Sequence, residues 1–318
     1  MPPVFAPNAQ GLPFFTEGGT ETELMYRHGL TFDHFCAFTL LDNPRAMSVI
    51  RDMYRRLLDK IAASGGCALI SGLDYRASSD WGALVGYDAA ALTDIQLRNI
   101  AFLREVSAPY AGEIPEIRIA GILGPRGDAY ELNRTITTEE AEEYHRQQIE
   151  TYARDGVDLI WAATINNIPE AVGIARAATS AAIPVNISFT LTSDHHLRSG
   201  DSLAAAVRAT DAACGSDNRP DSYGVNCSHP LEFEPALGNG DWQDRLRSFR
   251  PNAAAMDKIA LCKLNHLEEG DPQELGQQMG ALARRYPQAD IWGGCCGSWD
   301  RHLGHIAPAV MAARRVTA

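Results

Sequence analysis

Residues 159–189 read LIWAATINNIPEAVGIARAATSAAIPVNISF. Leu159 to Ala162 is a short apolar run rich in β-formers. Pro169 to Ala181 is Ala-rich, with its apolar residues at helical spacing, and Val185 to Phe189 is a second β-rich run. A strand, a helix and a strand follow one another here, and the same alternation continues outward in both directions. Upstream strands are expected at Phe14 to Thr16, Ala68 to Ser71 and Ile117 to Ala120; downstream ones at Ser222 to Asn226, Lys258 to Leu261 and Ile291 to Trp292. Helices are expected between them at Ser48 to Ala63, Ala90 to Val106, Thr138 to Arg154, Ser202 to Cys214 and Pro272 to Tyr286. Eight strands alternating with helices predict an α/β chain folded as a (β/α)8 barrel, which takes about 250 residues. A doubly wound open sheet has the same alternation, and strand counting alone does not separate the two. The excess length is expected in loops around Leu30 to Arg45, Tyr75 to Ala89 and His229 to Asp244. No low-complexity linker divides the chain, so residues 1–318 read as a single domain.

Composition narrows the function classes. Of 318 residues, 45% are hydrophobic and 21% charged, which supports a sizeable core. The formal net charge of -12 argues against nucleic acid or an anionic membrane surface as the main partner, because both would repel the chain. Homo-oligomerisation is left open. Met1 to Pro7 has no basic region followed by an apolar stretch, so a secretory signal is not expected. No run of about 18 uncharged apolar residues suggests a membrane span. The seven cysteines are odd in number and two are adjacent, unlike the disulfide framework of a small secreted protein. A reducing cytoplasm fits them better.

The unusual residues cluster just after the strands. Glu17-Gly18-Gly19 follows the first, Asp74-Tyr75 the second, Gly124-Pro125 the third, Cys227 the sixth and Cys295-Cys296 the eighth. In a barrel these loops all open at the C-terminal face, where active sites lie. Gly224-Val225-Asn226-Cys227 and Gly293-Gly294-Cys295-Cys296-Gly297 would thus bring three thiols toward one point. Three thiolates suit Zn²⁺ and leave its fourth position open. A substrate thiol entering that position would lose its proton, gaining nucleophilicity that a free thiol of pKa about 8.5 lacks at neutral pH. The competing readings of the adjacent pair are a vicinal disulfide or a redox couple. Cys36, Cys67, Cys214 and Cys262 read as small core residues.

With these residues in view, the chain resembles the homocysteine S-methyltransferase family of zinc-dependent (β/α)8 barrels, over nearly its whole length. Glu17-Gly18-Gly19-Thr20-Glu21-Thr22-Glu23-Leu24 is similar to the family's Asp-Gly-Gly-x-Gly-Thr-x-Leu. Tyr75-Arg76-Ala77 matches the end of Asn-Thr-Tyr-x-Ala, and Gly121 to Pro125 matches Gly-Ser-x-Gly-Pro. Ile187-Ser188-Phe189-Thr190 and the two cysteine motifs follow in order. The resemblance implies that Cys227, Cys295 and Cys296 are the zinc ligands. It implies methyl transfer from a sulfonium or ammonium donor to homocysteine or a related thiol or selenol, as in methionine biosynthesis. The substrate would be met by Glu17, Gly18, Asp74, Tyr75, Ala163 and Asn226.

The departures concern the pocket rather than the metal. Glu17 stands where the family has Asp, and Ala163 where it has the Glu of Phe-Glu-Thr. Both family carboxylates help hold the amino acid part of homocysteine. Asn-Thr becomes Leu73-Asp74, and Asp74 is expected to replace the lost charge. The Tyr-Pro-Asn that follows the family's seventh strand is read here as Lys263-Leu264-Asn265. A charge-assisted hydrogen bond is worth about 1.5–3 kcal/mol, so these changes point to an acceptor of altered shape.

Other candidates have weaker readings. Asp194-His195-His196 offers a second metal site, His229 could support Cys227, and Trp81, Trp161, Trp292 and Trp299 could cage an onium donor. Two further functions compete with methyl transfer: a zinc-dependent lyase or demethylase acting on a sulfur compound, and a non-catalytic zinc- or thiol-binding protein.

Overall fold

Short apolar runs become barrel strands when helices cover their outer faces and side chains fill the interior. The computed structural model, which describes residues 3–256, 260–261, 263–264 and 266–317, has this arrangement. Its strands are β1 (Phe14–Phe15), β2 (Cys67–Ser71), β3 (Ile117–Leu123), β4 (Leu159–Ile165), β5 (Val185–Phe189), β6 (Ser222–Asn226), β7 (Leu246–Arg250) and β8 (Ile291–Trp292). They lie in chain order in one closed parallel barrel. Ile291 of β8 sits beside Phe14 of β1, which excludes the open sheet.

The helices described are α1 (Thr20–Tyr26), α2 (Pro44–Ser64), α3 (Ser79–Leu84), α4 (Ala89–Ser107), α5 (Thr138–Asp155), α6 (Ile168–Ser180), α7 (Leu203–Asn218), α8 (Pro230–Phe233), α9 (Pro272–Arg285) and α10 (Asp300–Thr317). Their ends obey local chemistry. Asn43 accepts from the N–H groups of Arg45 and Ala46 at the start of α2. Thr137 and Glu140 form a reciprocal capping box at the start of α5. No helix described is long and apolar enough to cross a membrane.

The period of two along the strands decides what points inward. Leu69, Ile122, Trp161 and Ala163 pack inside with Phe5, Phe14 and Ile291, whereas Ile70, Leu123, Ile160 and Ala162 belong to the outer core beneath the helices. Ala163 is therefore aimed into the barrel, in phase with Trp161. Part of the interior is polar. Trp161 Nε1 donates to Ser188 Oγ (2.9 Å), which donates to Asn186 Oδ1 (2.8 Å), and Asn186 Nδ2 donates to Ser222 Oγ (2.9 Å).

The seventh strand corrects an expectation. It is not Lys258 to Leu261 but β7, where Ser248 pairs with both Gly224 and Ile291. Ala260 and Leu261 are helical; residues 257–259, Cys262 and Asn265 lie outside the described residues. Leu246-Arg247-Ser248-Phe249-Arg250 carries two arginines in five residues, which reads as a loop. The barrel satisfies both charges: Arg247 Nε donates to Asp290 (3.0 Å), and Arg250 ion-pairs with Glu17 (2.7 Å). The Pro-Asn pair after the seventh strand is thus Pro251-Asn252, preceded by Arg250, and Lys263-Leu264-Asn265 does not directly follow that strand.

Candidate active site

Cys227 leaves β6 with φ of +51°, a left-handed conformation that a non-glycine residue adopts only when its surroundings hold it there. The chain after β7 supplies the hold. Cys227 N–H donates to the Arg250 carbonyl (3.2 Å), and Asn252 Nδ2 donates to the Cys227 carbonyl (3.2 Å). The same segment secures the other cysteines: Cys295 N–H donates to the Pro251 carbonyl (2.7 Å), and Ala253 N–H donates to the Cys296 carbonyl (3.0 Å). Residues 250–253 thus stitch the two cysteine-bearing loops together.

The glycines beside them act by being small. A Cβ on Gly19 would lie 2.7 Å from Cys296 Cα, and one on Gly18 would lie 2.3 Å from the Ser298 carbonyl oxygen. Gly18, expected at the substrate, lines the cavity, but what demands a glycine there is the close approach of this backbone.

The three cysteine sulfurs lie within 4.8 Å of one another. Cys227 and Cys295 are joined as a disulfide, with Cα atoms 5.4 Å apart, and Cys296 Sγ stands 3.9 Å from Cys227 Sγ. Among the described residues this is the one cluster of three or more His, Cys, Asp or Glu with ligand atoms this close. Three convergent sulfurs from separate strand ends are a donor set that fits a soft or borderline-soft ion such as zinc. Only thiolates ligate, so the metal form requires the Cys227–Cys295 pair to be reduced. His195 and His196 lie apart, with their Nδ1 atoms against the carbonyls of Glu232 and Asp194 (2.7 Å each). His229 instead caps α8, accepting from Leu231 N–H (3.3 Å).

Above the cysteines, at the C-terminal ends of the strands, is a cavity of about 350 Å³. Glu17, Gly18, Tyr75, Ala163 and Asn226 line it with Cys227, Cys295 and Cys296. Asp74 does not. It is 1% exposed, and its carboxylate accepts from the Tyr152 hydroxyl of α5 (3.0 Å). Burial pushes this carboxyl up to about 7. The tight turn at Asp74–Arg76 sends Tyr75 toward the cavity and Asp74 toward α5, so Asp74 does not replace the charge missing at Ala163.

Glu17 has its partners within the protein. Its carboxylate accepts from Ser71 N–H (3.1 Å), from the Ser71 hydroxyl, and from Arg250 (2.7 Å). The Arg250 guanidinium lies 3.4 Å from the centroid of the Trp161 ring. That contact takes up a face of the one candidate cage tryptophan that lines the cavity. Arg76 covers Trp81, Arg27 covers Trp299, and Trp292 is buried in the core. The four tryptophans form no cage.

Asn226 joins pocket to sulfur. Its Oδ1 accepts from Thr164 N–H (2.8 Å), and its Nδ2 donates toward Cys295 Sγ (3.8 Å). Thr164 has φ of +58°, unusual for a β-branched residue, and the Tyr75 hydroxyl bonds its Oγ1. Cys36, Cys67 and Cys214 are buried, and burial pushes each thiol up to about 11, as suits core residues.

Sequence reasoning missed Arg250, Thr164, Asn252 and Glu21, all of which line the cavity. Two had a signal. Arg250 precedes a Pro-Asn pair, and Glu21 stands where the resembled Asp-Gly-Gly-x-Gly-Thr motif has its third glycine.

Comparisons with known proteins bear on the family and the fold. A family model described as Homocysteine S-methyltransferase matches residues 14–310. Homocysteine S-methyltransferase YbgG of Bacillus subtilis (strain 168) is 24% identical, over 92% of each chain. Selenocysteine Se-methyltransferase of Brassica oleracea var. italica is 25% identical, over 69% of this chain and 66% of its own. The homocysteine methyltransferase MmuM of Escherichia coli has a similar fold. Its oxidized form gives a TM-score of 0.72 at 20% identity, over 94% of this chain and 96% of its own. Its metallated form gives 0.69 at 21% identity, with the same coverage.

Proposed function

The chain belongs to the homocysteine S-methyltransferase family, and from that premise we propose that it moves a methyl group from a sulfonium or ammonium donor to the sulfur or selenium of a small thiol or selenol, with zinc held by Cys227, Cys295 and Cys296. The observation that carries this reading is the convergence of three sulfurs, within 4.8 Å of one another, at the wall of one cavity at the mouth of the barrel. Zinc bound there would supply the positive charge that strips the proton from an acceptor thiol. A reducing compartment such as the cytoplasm would keep the cysteines available to it.

The chain's own residues do the positioning. Asn226 spans Thr164 and Cys295, tying the wall of the pocket to the sulfur cluster. Tyr75 and Thr164 form one side of the space an acceptor would fill, and Ala163 leaves room there. Glu17 is neutralised by Arg250, so the cavity floor is a fixed ion pair rather than an open anion. A cavity of about 350 Å³ suits a small acceptor and donor methyl rather than a polymer.

The test is metal analysis with product identification. Reduced protein is expected to bind about one zinc per chain and to methylate at least one member of a thiol and selenol panel given sulfonium and betaine donors, with products read by mass spectrometry. Cys227→Ala should lose the metal and the methylated product together. Turnover persisting without zinc would sink the mechanism, and a cleaved carbon–sulfur bond in place of a methylated thiol would favour a lyase.

A further inference from the structure

Four carboxylates line the cavity, and three of them have partners in the protein. Glu17 is bonded to Arg250 (2.7 Å), Asp128 to Arg76 (3.3 Å) and Glu268 to His266 (2.7 Å). The fourth is Glu21, in the first turn of α1. Among the described residues no side chain hydrogen-bonds or ion-pairs with it; its own backbone N–H is its one donor. Arg250 and Arg76 act on it only through space, and Glu17 repels it.

An acidic side chain in a half-buried site is costly to ionise unless a cation arrives to balance it, and without one it tends to keep its proton. Surface glutamates meet this need with water. Glu21 lines a cavity whose apolar walls include Phe35, Tyr75 and Ile122. Its carboxyl is pushed up to about 7 by that burial. It also acts electrostatically on Tyr75, whose hydroxyl holds Thr164 beside Ala163. Glu21 and the uncharged wall at Ala163 therefore border the same space.

We infer that Glu21 is the binding group for a cationic part of a substrate in this cavity, either the ammonium of an aminothiol acceptor or the onium centre of the methyl donor. This rests on the reading of the cavity as a thiol methyltransferase site. The shared chemistry is a small organic cation, and the two sources are told apart by separate arms of one experiment.

The experiment compares wild type with Glu21→Gln, which keeps the shape and removes the charge, and with Glu21→Ala as a second variant. Asp128→Asn serves as a control at the same cavity. In the first arm the reduced protein is loaded with cobalt(II), and thiol entry is read from the cobalt absorption spectrum. Homocysteine is compared with 4-mercaptobutyrate, which lacks the ammonium. In the second arm trimethylsulfonium and tetramethylammonium are titrated calorimetrically against a neutral isostere. Glu21→Gln is expected to weaken the cationic probe of one arm by about tenfold or more, the loss of one charge-assisted contact, and to leave the uncharged comparator unchanged. A change in the first arm identifies the acceptor as the source, and one in the second the donor. Cation-to-neutral ratios identical in wild type and Glu21→Gln in both arms would overturn the inference. If no thiol perturbs the cobalt spectrum, the methyltransferase reading fails, and the onium arm still decides the role of Glu21.

Discussion

At the scale of single residues, the Glu17–Arg250 pair sets the electrostatics of the cavity floor. Both side chains are almost wholly buried, and Arg250 is also stacked on Trp161. Breaking such a pair strands a charge, whereas replacing both members does not. Arg250→Met should therefore cost about 3–5 kcal/mol in urea denaturation, and Glu17→Gln in the same chain should restore much of that loss. A double variant no more stable than Arg250→Met would contradict the pairing. The same residues mark what a sequence can disclose. Three cysteines in two glycine-flanked motifs offer a soft-metal donor set through their identity alone, beside a disulfide or redox reading of the same residues. Arg250 does not declare itself, because its partner lies 233 residues away and only barrel closure joins them. Asp74 misleads for a related reason: its motif puts it at a strand end, but a single tight turn faces it toward α5.

Elements were legible where local chemistry agreed with burial. β5, β6 and β8 have the bounds their β-rich runs imply, whereas β4 runs on past Ala162 to Ile165. β7 was hidden because its arginines spoil the apolar pattern, and their acidic partners lie far off in the chain, Glu17 just after β1 and Asp290 just before β8. Helix ends carry their own signals. The Thr137-Thr138-Glu139-Glu140 run spells the capping box that starts α5, after the long connection from β3. Thr137→Ala should destabilise the protein by about 1 kcal/mol, measured by chemical denaturation, without altering metal content. Metal loss in that variant would mean that α5 is coupled to the site more tightly than its contacts imply.

For the whole molecule, buried acids and histidines shape the response to pH. Asp74 and Glu21 are both raised to about 7 by burial. The stability linked to a raised pKa is fully present below the unfolded value and is lost as pH rises through the folded one. His229 and His302, held below 6.5 by burial, act in the opposite sense and cost stability as pH falls below that value. The stability held by these two carboxyls should thus fall between about pH 4 and pH 7 and level off above it, with the two histidines opposing that trend below pH 6.5, and Asp74→Asn should remove its share of the fall while keeping the Tyr152 contact. An unchanged slope in Asp74→Asn, read by melting at about pH 5 and about pH 7.5, would remove Asp74 from the account. The distance along the chain between the sulfurs has a further consequence, this time in synthesis. Cys227 is made 68 residues before Cys295. At ribosomal rates of roughly 5–20 residues per second, its thiol waits about 3–14 seconds for its companions. With zinc held as proposed, loading would be an event of late synthesis, because a polypeptide truncated before β8 would carry only one of the three sulfurs.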